Sequence, residues 1–157
     1  MINLNHSANE IWGAVDSHIN CWLGDRQQLI KGFCSLSGIT TYNKRAAISG
    51  QQLHNFCERL VDYVSAGHFG IYEELLLEAE AFDTGQALIQ ETYPKLKIIT
   101  NILLEFNDKY EANVDLSKES ATLIRDLSKL GEALELRFEL EDQLINILHL
   151  QNKTQVA

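Results

Sequence analysis

The sequence predicts an all-α fold: an antiparallel, up-down-up-down four-helix bundle with short additional helices. Three observations carry that expectation. Only one proline, Pro94, and nine glycines interrupt 157 residues, so the chain has few breakers. Runs of Leu, Glu, Ala, Gln and Lys favour helix throughout. Apolar residues recur at steps of three and four over long stretches, the spacing of a helix with one buried face. A content of 45% hydrophobic and 22% charged residues is ordinary for a folded protein, and no linker or repeat divides the chain. One domain over residues 1–157 is expected, with about 151–157 as a frayed tail.

In chain order, Ser7 or Asn9 can cap a first helix through Ile11, Val15, Ile19 and Trp22/Leu23. Gly24 then acts as a stop or kink, or the helix continues through Leu29/Ile30, Phe33 and Leu36. Ser37 to Gly50, with glycines at both ends and the basic pair Lys44-Arg45, reads as a loop. A long helix begins at Ser49 or Gly50 and runs to about Ala81. Its stripe is Leu53, Cys57, Leu60, Val64, Gly67/His68, Ile71 and Leu75. Asp83-Thr84-Gly85 caps a short helix to about Thr92, and Pro94 opens the next, where a missing N–H costs nothing. That helix carries Leu96, Ile99, Ile102/Leu103 and Phe106, and the chain turns near Asn113 to Lys118, with Asp115 or Ser117 as cap. The last helix runs to Leu150 along Leu123, Leu127, Leu130, Leu134, Phe138, Glu141, Leu144/Ile145 and Leu148.

Two of these stripes contain polar groups where a core should lie. Gly67 costs a helix interior roughly 1 kcal/mol against alanine, and a histidine on a core face needs hydrogen-bond partners. Arg137 and Glu141 sit i to i+4 on the last helix, close enough to meet. Across the bundle, His68, Glu73, Arg137, Glu141 and Asp142 can form an ionic network fixing helix register, each charge paired to offset desolvation. The same groups admit a metal-carboxylate bundle enzyme, since such bundles hold di-metal sites on facing helices, or a small-metabolite sensor. No Glu-x-x-His pair supports a metal, and of His6, His18, His54, His68 and His149 only His68 sits among carboxylates at a helix centre. Hydrolase and phosphate-loop patterns are absent. Neither catalysis nor a cofactor is expected.

Charge points toward a protein partner. The net charge of −9 excludes direct nucleic-acid binding, which draws on clustered Lys and Arg. Between Glu58 and Asp83, the acids Glu58, Asp62, Glu73, Glu74, Glu78, Glu80 and Asp83 face one base, Arg59. Such a ridge attracts a basic partner. Trp22, Tyr63, Phe69 and Tyr72 lie near it, and aromatics commonly anchor interfaces. Cys21, Cys34 and Cys57 fall near apolar positions with no C-x-x-C pair and read as reduced core thiols. The N-terminus has no secretory pattern and no run approaches the roughly 18 apolar residues of a span, so a cytoplasmic protein with no membrane contact is expected.

The residues also carry a family resemblance. Phe56 to Leu76, FCERLVDYVSAGHFGIYEELL, resembles one signature of the Rsd/AlgQ family of bacterial anti-sigma factors, and Gly131 to Ile145, GEALELRFELEDQLI, resembles its second. Weaker agreement at Trp22-Leu23, Leu36 with Gly38-Ile39, and Pro94-x-Leu96 extends the match along nearly the whole chain. The resemblance implies a helical bundle that binds region 4 of the primary sigma factor, one to one, and blocks its contacts with core RNA polymerase and the promoter −35 element. By matching positions it places Asp62 of LVDY at the centre of the binding face. Trp22, Tyr63, Phe69, Tyr72 and Glu73 join it by proximity, while His68, Arg137, Glu141 and Asp142 hold the two signature helices in register.

Overall fold

The computed structural model describes residues 4–42, 48–111 and 116–155, with side chains over 8–38, 48–111 and 121–153. All five long elements are α-helices, and no strand occurs among the described residues.

Helix α1, Leu4–Tyr42, is one uninterrupted element of 39 residues. It passes through Ser7 and Asn9, so neither caps it, and through Gly24, which does not stop it. It also takes in Gly38, leaving a connection shorter than the expected Ser37 to Gly50 loop; Lys44-Arg45 lies outside the described residues. A glycine in a helix costs only about 1 kcal/mol. Burial of Val15, Ile19, Trp22, Leu29 and Leu36 along α1 outweighs that, each large apolar side chain contributing roughly 1.5–3 kcal/mol.

Helix α2, Gly50–Ala66, starts at a capping box. The Gln52 N–H donates to Ser49 Oγ at 3.0 Å and the Ser49 N–H to Gln52 Oε1 at 3.1 Å, satisfying two donors that helix geometry leaves orphaned. The rod continues without a break through a π-helical turn, Gly67–Ile71, into α3, Tyr72–Phe82. Within it the Tyr72 N–H donates to Gly67 O, five residues back. One extra residue in a turn rotates everything after it by about 100°. An unbroken helix would continue the buried pairs 56/57 and 63/64 as 70/71 and 77/78. The π turn instead buries Ile71 with Tyr72, then Leu75, then Glu78 with Ala79.

Asp83 ends α3 in the left-handed conformation at φ 52°, and Gly85 follows at φ 77°. A Cβ on Gly85 would lie 1.9 Å from Leu148 Cδ2, so glycine is required there by backbone and by space. Helix α4, Gln86–Tyr110, is one element with Pro94 inside it, where the sequence suggested a break. Burial of Ile89 and Thr92 before the proline and Leu96 and Ile99 after it holds the helix together against a local cost of about 3 kcal/mol. Helix α5, Leu116–Leu148, follows; Asp115 and the side chain of Ser117 lie outside the described residues. Residues 156–157 lie outside the described residues, and within the stretch expected to fray Leu150–Gln155 forms a 3-10 turn. Its Asn152 is buried and donates from Nδ2 to Leu148 O at 2.9 Å, satisfying a carbonyl at the helix end.

Four rods surround the core: α1, the α2–π–α3 rod, α4 and α5. The lower part of the bundle is a ring in which α1 packs on α2, α2 on α4, α4 on α5 and α5 on α1. Leu29, Leu60, Leu103 and Leu144, one from each rod, are fully buried at its centre.

Candidate protein-interaction site

The α2–π–α3 rod has two unlike sides. Its outer side carries Glu58, Asp62, Phe69 and Glu73 in an exposed row, and Phe69 keeps 71% of its surface accessible. Asp62 and Glu58 border a cleft against α4, with Glu111 across it and Cys57 at its base. Burial, with Glu111 nearby, pushes the Cys57 thiol up to about 12, so it stays protonated and unreactive. Cys21 and Cys34, expected in the core, are exposed.

The inner side faces a buried polar network. Tyr63 and Tyr72 donate from their hydroxyls to the two carboxylate oxygens of Glu141, each at 2.8 Å. Arg137 reaches Glu141 Oε2 from Nε at 3.4 Å, Thr100 Oγ1 from Nη1 at 3.1 Å and Val64 O from Nη2 at 3.4 Å. Arg26 donates from Nε to Tyr63 Oη at 3.0 Å and from Nη1 to Asp142 Oδ1 at 2.5 Å, and its Nη2 lies 3.6 Å from Glu141. Two guanidinium and two carboxylate groups therefore balance one another. Burial pushes the Glu141 carboxyl up, and Arg137, Tyr72, Arg26 and Tyr63 pull it back. Burial, together with Glu141, holds both phenols well above their ordinary range, so they remain donors.

Aromatic packing closes this network from α1. Trp22 stacks on Tyr63 with centroids 4.8 Å apart and donates from Nε1 to Tyr63 O at 3.2 Å. Gly67 is buried beneath: a Cβ there would lie 2.9 Å from Trp22 Cζ2 and 3.1 Å from Arg137 Nη2. The glycine lets the tryptophan and the arginine approach the backbone.

The structure thus brings together Arg137, Glu141, Asp142, Tyr63, Tyr72 and Trp22, and leaves His68 and Glu73 outside. His68, expected on the inward stripe, is exposed and meets Phe69 edge-on at 4.8 Å, because the face the rod buries here runs through Gly67 and Ile71 and leaves residue 68 beside it. Trp22, Tyr63 and Tyr72 are 2%, 1% and 4% exposed, so they support the outer face from below and do not present themselves to a partner. Of the acidic ridge, Glu78 is fully buried and faces His149.

Sequence reasoning missed Arg26 and Thr100; the former stands one turn beyond Trp22, a spacing that could have signalled it. It also missed a second buried cluster. His149 sits 2.8 Å from Glu78 through Nδ1 and 2.9 Å from Asp16 through Nε2. Trp12 stacks on its ring at 4.6 Å and donates to His149 O at 3.0 Å. Glu78 and His149 lie 71 residues apart, a pairing that no helical spacing announces. Among the described residues no group of three or more His, Cys, Asp or Glu is arranged to hold a metal ion, and no helix is long and apolar enough to cross a membrane.

Comparison with known proteins places this chain in a family. The sequence profile described as "Regulator of RNA polymerase sigma(70) subunit, Rsd/AlgQ" matches residues 1–149. The chain is 38% identical over 148 residues to the "Regulator of sigma D" of Yersinia enterocolitica, covering 92% of this chain and 88% of that protein. It is 35% identical to the "Regulator of sigma D" of Enterobacter sp. (strain 638), covering 100% of this chain and 98% of the relative. No solved structure gives a significant match. The chain belongs to the Rsd/AlgQ family of regulators of the RNA polymerase sigma(70) subunit.

Proposed function

We propose that this protein is a cytoplasmic anti-sigma factor that binds region 4 of the primary sigma factor one to one. It occludes the surfaces with which region 4 contacts core polymerase and the promoter −35 element, without catalysis or a cofactor. The observation that carries this reading is the exposed row Glu58, Asp62, Phe69 and Glu73 on one continuous rod. It offers carboxylates flanking an aromatic anchor, the complement of a basic, DNA-reading surface. Asp62 is the centre of this face, pairing with a sigma arginine in a charge-assisted contact. Trp22, Tyr63 and Tyr72 back it, and the network of Arg137, Glu141 and Asp142 holds α5 in register behind it. Short connections between long helices that pack side by side support an up-down-up-down order within a single bundle domain.

Co-elution with purified sigma region 4 tests the reading. The wild-type protein is expected to form a one-to-one complex, and Asp62→Lys to weaken it by about 2 kcal/mol or more while the far-UV helix signal is unchanged. Absence of binding at tens of micromolar in low salt would overturn it.

A further inference from the structure

A second surface lies on the other side of the bundle. Among the neighbouring pairs of the ring, α1 and α5 meet least closely, and between them opens a groove of about 830 Å3. Leu134 forms its buried floor, Phe33 and Phe138 are half-buried walls, and Ile30 is 39% exposed at its lip. Along the α5 edge stand the exposed carboxylates Glu135, Glu139 and Asp142. Asp142 is shared with Arg26, and among the described residues no lysine or arginine lines the groove.

We propose that this groove docks an amphipathic α-helical segment of another protein, with leucine-type anchors on one face and a row of lysines or arginines along one flank. Groove residues on α5 run from Gly131 to Asn146, a length of about 22 Å at 1.5 Å per residue. That spans four helical turns, enough for anchors at i, i+3 or i+4, i+7 and i+11. The acidic edge selects the charge of the flank. A second copy of this chain, with its own net charge of −9, is repelled, as are an anionic membrane and nucleic acid. The groove lies on the α1/α5 side of the ring, and the Asp62 cleft on the α2/α4 side. The two surfaces are therefore compatible with simultaneous occupation, and this inference does not rest on the sigma-factor reading.

The test uses a labelled synthetic peptide of about 18 residues, with Leu at helical spacing and Lys along one flank. Two comparators accompany it: one with Glu in place of Lys, and one of the same composition with the leucines scattered. Fluorescence anisotropy against the full chain should show micromolar binding of the first peptide only, with amide shift changes at Ile30, Phe33 and along 131–146. Glu135→Lys with Glu139→Lys should weaken it by about tenfold or more, and Ile30→Lys likewise, whereas Asp62→Lys should leave it within about twofold. All substituted side chains are exposed, and matching circular dichroism confirms folding. Equal binding of the scattered peptide, shifts confined to the Asp62 side, or self-association of the chain through the groove would each overturn the proposal.

Discussion

At the scale of single residues, the protein places charged groups among its most buried positions. Arg137 and Glu141 are 0% and 1% exposed, and each is surrounded by partners that leave little unsatisfied. Removing one member leaves the rest uncompensated, so Glu141→Leu should lower unfolding stability by about 3–5 kcal/mol. Asp142→Ala, at the exposed end of the same network, should cost about 1 kcal/mol or less. Urea denaturation separates the two, and equal losses would show that burial is not what gives the network its weight. His149 supplies a pH-dependent counterpart. Burial by itself would push its pKa down, but Glu78 and Asp16 more than reverse this, raising it above 6.5. A base with a raised folded-state pKa stabilises fully below its unfolded value and loses that contribution as pH rises through the folded value. Melting temperature should therefore fall as pH climbs from about 6.5 toward the raised value, and His149→Gln should flatten that slope. An unchanged slope in the variant would assign the pH dependence to other groups.

At the scale of elements, the π turn decides which residues face the core. It turns Tyr72 inward to reach Glu141 while Phe69 and Glu73 stay outward, and Gly67 is what lets the turn lie against Trp22 and Arg137. Two glycines three residues apart should then respond with opposite signs. Gly67→Ala places a Cβ 2.9 Å from the Trp22 ring and should destabilise by about 1–3 kcal/mol. Gly70→Ala meets nothing within 4 Å and should be neutral or stabilising by up to about 1 kcal/mol. Thermal or urea melts measure both; a Gly67→Ala protein as stable as wild type would mean that Trp22 and Arg137 can retreat without loss.

At the scale of the whole molecule, charge and topology act together. A net charge of −9 surrounds an exposed carboxylate and aromatic row on one side and an acid-edged apolar groove on the other. Encounter of the Asp62 face with a basic sigma domain should be steered over distances that salt shortens, the screening length being about 10 Å at 0.1 M. Stopped-flow association should slow by about tenfold or more between 50 and 500 mM salt while dissociation changes far less. An association rate indifferent to salt would remove steering from the mechanism.

Much of this protein could be read without coordinates. Helical class follows from local propensity and 3.6-residue periodicity, both properties of neighbouring residues. The same local logic marked Arg137 and Glu141 as intruders on an apolar stripe, and the two signature segments identified the family. Tertiary packing decided the rest. Gly24, Gly38 and Pro94 carry penalties of about 1–3 kcal/mol, which burial of the surrounding faces exceeds, so helices expected to break do not. One extra residue at the π turn changes the inward face downstream, turning Tyr72 and Ala79 inward, and no periodic rule announces where it occurs. Arg26 beside Asp142, and His149 beside Glu78, pair residues 116 and 71 positions apart, contacts created by helix packing alone. Sequence determined which segments are helical and which family they form, because those are local properties; tertiary structure decided which polar groups are buried together and which face outward.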